Sequence, residues 1–409
     1  MWGGHSCPPE ADPVGIPLQE TNARSNWKSG ALAPREGERE ETGLQPLLRG
    51  KPIRIYNLCF LGFGNVNRTL VRLLEDRRQE LLDRHGIALR ITGVASRRLG
   101  WLADANGIDI TTALALGMDR EGHDFSRAEK DDKEKTGLQP LRATTPYDQT
   151  KAWLATARAD VLFEATSLNV ETGQTAIDHI RAALEHGAHA ITANKGPIVH
   201  AYRELRDLAG ARGKRFLFES TVMDGVPIFS LFDQLPVIHL QGFHGILNST
   251  TNVILGEMEN GLNFDDALKK AQALGVAETD ATHDIDGWDA AVKIAALITV
   301  LMDIPVRLDQ IAREGIRDLT PQALRNARRD GWPFKLVCRA QRVGDGVKAS
   351  VAPEKVLAAS PMGKITGTSS YICFETDIFP GLAITEENPG LYATAYGMLA
   401  DFVRAISGR

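Results

Sequence analysis

An acidic stretch in the second half of the chain holds the residue types best suited to proton transfer. Residues 274–293 read LGVAETDATHDIDGWDAAVK, and the helical periodicity that follows places Asp289 and Lys293 four residues apart on one helical face. Burial lowers the pKa of a lysine and a nearby carboxylate raises it again. The spacing therefore favours a pair tuned for general acid and base catalysis.

Two other interpretations compete with this one. A solvated Asp/Lys pair would contribute only a few tenths of a kcal/mol, but the apolar run at residues 294–302 predicts a helix that is mostly buried beyond the pair. A calcium loop needs acidic residues at alternate positions, Gly at the sixth and Glu at the twelfth. Gly287 follows Asp284 and Asp286 too early for that register.

Composition excludes several classes of protein. The 409 residues, 43% hydrophobic and 24% charged, are enough for two domains of a soluble globular protein. The formal net charge of -5 gives no basic surface for nucleic acid. No apolar stretch approaches the roughly 20 residues that span a bilayer, and the four cysteines lack paired spacing. We expect a cytoplasmic protein with reduced thiols, without membrane contact and without zinc.

Two polar segments interrupt the periodic sequence. Residues 1–50 are rich in Pro, Gly, Glu and Arg and predict a disordered tail, and residues 119–149 predict a polar insertion with the run RAEKDDKEK. The hexapeptide TGLQPL occurs at 42–47 and again at 136–141. We interpret it as a duplicated surface element, because two copies do not make a solenoid.

A glycine-rich turn predicts a nucleotide-binding site. Residues 53–61 form an apolar run of buried-strand length, and a helical pattern starts directly after the turn. Backbone amides of such a turn can approach a pyrophosphate. The third glycine of the usual pattern is replaced by Asn67. The turn residues expected at the cofactor are Gly62, Phe63, Gly64, Asn65 and Val66.

The end of the next predicted strand bears on the choice of cofactor. Residues 87–95 lead into Ser96, Arg97 and Arg98, where an acidic residue would bind the ribose 2′-hydroxyl of NAD. Arginines suit a 2′-phosphate instead, so the sequence favours NADP, or use of both cofactors, over strict NAD. The alternative, two arginines on a solvated loop, stays open.

Further strand and helix units predict the fold. Apolar runs at 161–165, 190–192 and 216–219 alternate with helical patterns at 175–186 and 203–211, which indicates a doubly wound, mostly parallel α/β sheet of the Rossmann type. Ligands bind at the carboxyl ends of such strands. The residues at these ends are Thr166, Ser167, Asn194 and Lys195.

Four separated motifs resemble one enzyme family. They are ITANKGP at 191–197, FESTVMDGVPI at 218–228, GILNSTTNVIL at 245–255 and the acidic stretch described above. In this order they resemble homoserine dehydrogenase, in a short form without a regulatory C-terminal domain. The resemblance runs from about residue 53 to the C-terminus. It implies reversible, NAD(P)-dependent interconversion of L-homoserine and L-aspartate 4-semialdehyde, in the biosynthesis of threonine and methionine, by a homodimer.

The resemblance also assigns roles to residues on the substrate side. Lys293 matches the family's proton-transferring lysine and Asp289 the carboxylate beside it. Glu278 matches the acid that binds the substrate ammonium, and Asp284 lies in the same loop. Further matches are Lys195, at the junction of cofactor and substrate, and Thr250, in the substrate-side turn after Ser249.

Two more features are implied by the resemblance alone. Backbone carbonyls of one segment would hold a monovalent cation, expected to be sodium. Its residues are Glu219, Val222, Asp224 and Val226. Near the end, Gly390 lies where the chain returns to the nicotinamide, and residues 394–406 are expected to form a helix that packs on the nucleotide-binding domain.

The expected organisation is a tail (1–50), a nucleotide-binding domain (51–197, with the insertion at 119–149), an α+β substrate and dimerisation domain (198–385) and a C-terminal segment (386–409).

One alternative is a related dehydrogenase acting on another amino-acid semialdehyde. Another is a catalytically idle nucleotide-binding scaffold, as the substitutions Asn67 and Ser249 would allow. Retention of both Asp289 and Lys293 argues against the scaffold.

We predict that the tail and roughly residues 120–145 are dispensable for the core fold, because neither has the apolar periodicity needed to pack. Limited proteolysis should cut both segments first and leave a folded, active remainder. Protection of the copy of TGLQPL at 136–141, together with loss of activity on cleavage, would instead mark the insertion as a lid or partner site.

Overall fold

The structure, a computed structural model, describes residues 52–115 and 145–407. The predicted tail and residues 119–144 of the predicted insertion lie outside these ranges. Residues 146–149, also placed in the insertion, begin a helix instead. Thr145 Oγ1 accepts the Asp148 amide at 3.1 Å, and Pro146 fills the first helical position. A Thr-Pro pair is a recognised helix start, but the polar composition of the segment led to its prediction as part of the insertion.

The first part of the chain builds a six-stranded sheet of order β3-β2-β1-β4-β5-β6. Its strands are β1 (Arg54–Leu61), β2 (Ile87–Ser96), β3 (Gly100–Ala103), β4 (Val161–Glu164), β5 (His189–Thr192) and β6 (Phe216–Leu217). All neighbours pair in parallel except the edge strand β3, which runs antiparallel to β2. The prediction of a mostly parallel Rossmann-type sheet is confirmed.

Helices connect these strands. They are α1 (Asn65–Asp76), α2 (Arg78–His85), α3 (Ile110–Ala115), α4 (Pro146–Ala157), α5 (Ala176–His186) and α6 (Gly196–Ala211). The apolar faces of helix and strand meet in a core where, for example, the rings of Phe60 and Phe163 stack at 5.1 Å. The predicted C-terminal helix is α13 (Leu391–Ser407), and its Phe402 packs edge-on against Tyr56 of β1 at 5.9 Å. The helix thus completes the first core.

A second six-stranded sheet has the order β12-β11-β7-β9-β10-β8 and is antiparallel except for β8 beside β10. Its strands are β7 (Leu240–Ile246), β8 (Ala312–Arg313), β9 (Phe334–Val343), β10 (Gly346–Lys355), β11 (Ser370–Thr376) and β12 (Leu382–Glu386). The helices of this part are α7 (Phe229–Asp233), α8 (Ser249–Glu259), α9 (Phe264–Ala273), α10 (Thr282–Ile285), α11 (Trp288–Leu301) and α12 (Pro321–Arg329). Short 3-10 turns occupy Glu219–Thr221, Leu308–Gln310 and Met362–Lys364.

The two faces of the second sheet differ. On one face Phe243, Ile372 and Phe374 pack under the apolar side of α11, as its sequence of small and branched apolar residues requires. On the other face a smaller cluster around Tyr371 and Cys373 lies beneath the 362–365 segment. None of the helices in the described ranges combines the length and apolar character that a bilayer crossing needs.

Helix α13 crosses the 219–225 segment at a contact between two glycines. A Cβ atom added to Gly397 would lie 2.8 Å from the Gly225 Cα atom, and one added to Gly225 would lie 2.7 Å from the Gly397 nitrogen. Such distances leave no room for a methyl group. Besides these backbone atoms, the Ser220 hydroxyl would lie even closer to a Cβ at Gly397. The approach of the C-terminal helix to this segment therefore depends on both glycines.

We predict that Gly397→Ala lowers the free energy of unfolding by about 1–3 kcal/mol, because the added methyl must push two backbone segments apart. Urea denaturation followed by circular dichroism measures the change. Gly210→Ala is the matched control, since a Cβ there meets no atom within 4 Å; helix propensity alone should raise its stability by at most about 1 kcal/mol. Equal stability of the two variants would show that the crossing tolerates a side chain.

Candidate active site

The glycine-rich turn joins β1 to α1 at the carboxyl edge of the first sheet. Gly62 has a φ of 78°, and a Cβ there would lie 2.6 Å from the Thr166 nitrogen that follows β4. Gly64 is the N-terminal cap of α1, so Asn65 and Val66 form its first turn. This helix start lies beside an open cavity lined by Gly62, Phe63 and Gly64, which is the position that pyrophosphate binding requires.

Asn67 is accommodated where the usual pattern has glycine. Its side chain is buried, and Nδ2 donates to the carbonyl oxygens of Leu61 and Gly62, both at 3.1 Å. The asparagine therefore fixes the end of β1 against α1. It replaces close packing of the backbones with two hydrogen bonds.

The cavity in front of this turn has a volume of about 790 Å³. Gly62, Phe63 and Gly64 line one wall, Arg97 and Arg98 line another, and Thr166 and Ser167 a third. The structure thus brings together the predicted cofactor residues from three strand ends. Another cavity, of about 830 Å³ between α6 and α11, is lined by neither the glycine turn nor the Asp289/Lys293 pair.

A buried carboxylate organises the adjacent strand ends. Glu164 at the end of β4 accepts hydrogen bonds from the hydroxyl groups of Thr166 and Thr192, each at 2.5 Å. Burial raises its pKa, and these hydrogen bonds oppose the shift. The Asn194 amide then donates to the carbonyls of Thr166 and Ser167, at 3.2 and 3.5 Å. These contacts tie the start of α6, where Lys195 is the N-terminal cap, to two residues that line the cavity.

Lys293 is held from two sides. Its Nζ donates to the Leu247 carbonyl oxygen at 2.6 Å and lies 3.1 Å from Asp289 Oδ2. The other oxygen of that carboxylate lies 3.3 Å from Lys195 Nζ. All three side chains are mostly buried, with exposed fractions of 17–19%. The predicted Asp289/Lys293 pair therefore exists, and Lys195 joins it from the cofactor side.

The charges in this cluster stabilise one another. Burial raises the pKa of Asp289, but the charges of Lys293 and Lys195 and a hydrogen bond from Asn248 outweigh it, so the pKa lies well below its usual range. Burial likewise lowers the pKa of Lys293, and the Asp289 carboxylate reverses this to a net rise. The apo site therefore holds an ionised carboxylate and a protonated lysine at neutral pH.

Asn248 was missed by sequence reasoning and links two acids. Its Nδ2 donates to Asp284 Oδ1 at 2.6 Å and to Asp289 Oδ2 at 3.0 Å, while its Oδ1 caps α8 by accepting the Thr251 amide at 2.8 Å. Burial and the neighbouring Asp289 charge raise the pKa of Asp284. An Asn followed by Ser-Thr-Thr is a recognisable helix cap. The link that Asn248 makes between the two acids could not be recognised in this way, because Asp284 and Asp289 are 36 and 41 residues away in the sequence.

The remaining substrate-side residues lie in different surroundings. Thr250 is buried and its hydroxyl donates to the Val276 carbonyl at 3.1 Å, which ties α8 to the acidic stretch. Glu278 is exposed, and no hydrogen bond or ion pair joins its side chain to the described residues. Ser249 Oγ donates to the Thr368 carbonyl at 2.8 Å. The structure thus connects Thr250 to the loop, but not Glu278 to the lysines.

The 219–226 segment is anchored to α13 and α7. The buried Glu219 carboxylate accepts the amides of Ile228 and Phe229 at 2.7 Å and of Ser230 at 2.9 Å. Asp224 has a φ of 44° and accepts a hydrogen bond from the Thr394 hydroxyl at 2.5 Å. Val222 is buried, and the Val226 carbonyl accepts the Ile228 amide at 2.9 Å. The described residues contain no cluster of three His, Cys, Asp or Glu side chains suited to a metal ion.

Gly390 lies just before α13, where its carbonyl accepts the Ala393 amide at 2.8 Å. It is exposed, and a Cβ atom there would meet open space. Taken together, the structure contains a helix start suited to a phosphate group at the cavity edge and a buried, protonated lysine at the end of β7. This arrangement can bind a nucleotide cofactor and exchange a proton with a substrate oxygen.

Family profiles match most of the described chain. Residues 62–219 match the profile described as homoserine dehydrogenase, NAD binding domain, and residues 227–403 match that described as homoserine dehydrogenase. The chain is 33% identical to the NAD(+)-dependent homoserine dehydrogenase of Pseudomonas canavaninivorans, over 85% of this chain and 95% of that protein. It is 32% identical to the homoserine dehydrogenase of Methanocaldococcus jannaschii, over 85% and 97%.

Solved structures have the same fold. A homoserine dehydrogenase from Thiobacillus denitrificans superposes with a TM-score of 0.68 at 27% identity, over 87% of this chain and 74% of that one. A protein from Archaeoglobus fulgidus superposes with a TM-score of 0.71, also at 27% identity, over 85% and 98%.

Proposed function

Because the chain belongs to the homoserine dehydrogenase family, and is an NAD(P)-dependent oxidoreductase that interconverts L-homoserine and L-aspartate 4-semialdehyde, we propose that Lys293 is its proton-transferring residue. One observation carries this proposal. The Lys293 ammonium is buried between the Leu247 carbonyl and Asp289, with a second lysine on the far oxygen of the same carboxylate.

The residues at the site divide the reaction between them. The residues around the glycine turn would hold NAD(P), which would supply or accept the hydride at the substrate carbon. In reduction of the semialdehyde, negative charge develops on the substrate oxygen, and Lys293 donates a proton to it. In oxidation of homoserine, neutral Lys293 removes the hydroxyl proton. Asp289 keeps the ammonium oriented and makes its charged form the resting state.

Other residues position the substrate in this proposal. Lys195 lies between the cofactor cavity and Asp289, where its charge suits the substrate carboxylate. Glu278, on the exposed side of the loop, reaches the substrate ammonium when substrate binds. Asp284 and Thr250 hold that loop against α8 through Asn248 and the Val276 carbonyl.

The cation and the partner chain are further parts of the proposal. The Glu219 carboxylate already accepts three amides, so its side-chain oxygens are occupied. In our assignment a monovalent cation, sodium, would therefore bind backbone carbonyls of the 219–226 segment. A second copy would pack on the face of the second sheet opposite α11, where Arg339, Gln341 and Thr385 are exposed.

We also place the enzyme in the cytoplasm. Cys59 and Cys338 are buried free thiols, and burial raises the pKa of each to about 12, so neither is a reactive thiolate. Unpaired, inert thiols suit a reducing compartment.

For the cofactor, we propose that NADP is accepted through Arg97 and Arg98. Both line the cavity beside Ser96, the last residue of β2. A guanidinium group there can bind the 2′-phosphate. The described residues that directly follow β2, Arg97 to Leu99, include no carboxylate to bind a 2′-hydroxyl. The relative from P. canavaninivorans is named for NAD(+), so use of both cofactors is the alternative.

We predict that Lys293→Ala lowers turnover at least about a hundredfold with a much smaller change in homoserine binding, because a general acid and base is lost. Initial rates in both directions measure this. The raised pKa of Lys293 adds a pH dependence: between about pH 7 and pH 9, oxidation should rise as more lysine is deprotonated, while reduction stays level.

Lys269→Ala is the matched control, because that lysine is 74% exposed. It should leave both rates unchanged. Near-native turnover of Lys293→Ala would show that the lysine is structural and that the proton passes elsewhere.

We predict that replacing both Arg97 and Arg98 with Ala raises the Michaelis constant for NADP about tenfold or more, and that for NAD far less, because only the 2′-phosphate loses a charge-assisted partner. Steady-state kinetics with each cofactor tests this. Arg84→Ala, an exposed arginine on α2, serves as control. Equal effects on the two cofactors would refute the assignment.

A further inference from the structure

The last residue of β12, Glu386, lies on the face of the second sheet that carries α11. Ile384 pairs with Ile372 and Leu382 with Phe374, and all four belong to the core beneath that helix. Side chains two apart on a strand share a face. Glu386 continues the series of 382 and 384, so it points to the helix side.

The strand register places Glu386 level with Leu247, the residue that accepts the hydrogen bond from Lys293. Glu386 is paired with Ser370 on β11, and the next residue, Tyr371, is paired with Ile246 on β7. Leu247, whose carbonyl accepts the hydrogen bond donated by Lys293, follows Ile246 directly. Neighbouring strands lie about 4.8 Å apart. Glu386 therefore lies two strands, or about 10 Å of backbone, from the Leu247 position.

One oxygen of Glu386 has no partner in the described structure. Its Oε2 is buried from solvent and accepts no hydrogen bond. A buried carboxylate oxygen without a donor is costly, and in an enzyme site it indicates a place that a ligand donor fills. The adjacent Glu387 is exposed, so the burial is specific to residue 386.

The surroundings make this oxygen attractive to a cation. Burial, and then the Asp224 charge, raise the pKa of Glu386 to about 7, while Lys293 opposes the shift. The Asp224 side chain is fixed by the Thr394 hydroxyl at 2.5 Å. No ion pair within 4 Å joins Glu386 to Lys293. A positive group that entered between Glu386 and Asp224 would relieve the repulsion of these two acids.

We propose that Glu386 binds the α-ammonium group of the substrate and so selects amino-acid substrates over their deamino analogues. This rests on the proposed role of Lys293 at the hydroxyl end. The hydroxyl oxygen and the ammonium nitrogen of homoserine are four bonds apart, roughly 5 Å when extended. A substrate whose oxygen meets Lys293 thus extends its ammonium toward Glu386. Glu386 approaches it from the sheet and Glu278 from the exposed loop.

The test compares L-homoserine with 4-hydroxybutyrate, which lacks only the amino group. For Glu386→Gln, kcat/KM for homoserine should fall at least about tenfold, because the amide cannot pair with an ammonium charge. The inhibition constant of 4-hydroxybutyrate as a competitive inhibitor should change less than about twofold. This inhibition constant is measurable even where turnover of the analogue is too slow to follow.

Three further variants make the result specific. Glu387→Gln removes the same formal charge one residue away and should leave both constants unchanged. Glu386→Asp keeps the charge and should recover part of the homoserine kcat/KM. Lys293→Ala should lower turnover and leave the preference for homoserine binding over 4-hydroxybutyrate binding intact, which separates failure at the proton-transfer end from failure at the ammonium end.

Two outcomes would overturn the proposal. If Glu386→Gln weakens 4-hydroxybutyrate and homoserine equally, the residue supports the fold or the proton path and not the ammonium. If Glu278→Gln alone abolishes the discrimination while Glu386→Gln retains it, the ammonium is bound only from the loop.

Discussion

The site depends on the Asp289 carboxylate, a buried anion shared by two lysines and one amide. Burying a single charge would be strongly unfavourable, and pairing makes it tolerable only if the geometry is well satisfied. Here Lys293, Lys195 and Asn248 meet that condition on both oxygens. Each comes from a different element, so the carboxylate fixes the relative positions of α11, the start of α6 and the turn between β7 and α8. Loss of either lysine leaves part of the carboxylate charge uncompensated, and loss of Asn248 removes a hydrogen bond from it.

The same carboxylate couples the two sheets. Lys195 follows Asn194, whose amide binds the carbonyls of Thr166 and Ser167 at the edge of the cofactor cavity. Lys293 is bound to Leu247 at the end of β7. In the proposed mechanism the chemistry therefore takes place where the carboxyl edge of the parallel sheet meets the end of a strand in the antiparallel one. A displacement of either edge would disturb the alignment of cofactor, substrate and lysine, which transfer of the hydride and of the proton both require.

The parts of this site that the sequence could predict are local ones. The i,i+4 spacing of Asp289 and Lys293 and the glycine turn into α1 need only a few consecutive residues, and both were predicted correctly. Lys195 and the residues at the ends of β4 and β5 followed from the rule that parallel strands end at one edge. The positions of Asn248, Leu247 and Glu386 relative to Lys293 could not be predicted, because they depend on strand register and on contacts tens of residues apart. For the same reason the exposure of Glu278 could not be predicted from the sequence of the acidic stretch that contains it.

The distribution of charge also explains why one buried lysine can serve a substrate that carries both signs. An amino acid brings an ammonium and a carboxylate, and a site with a single net sign would repel one of them. In this enzyme Lys195 lies toward the cofactor cavity, whereas Asp224 and Glu386 lie on the side of α13 and the sheet edge. Lys293 lies between these poles, and its charge is balanced by Asp289 independently of the substrate. In the proposed mechanism Lys293 can therefore respond to charge that develops on the reacting oxygen, because other groups meet the permanent charges of the substrate.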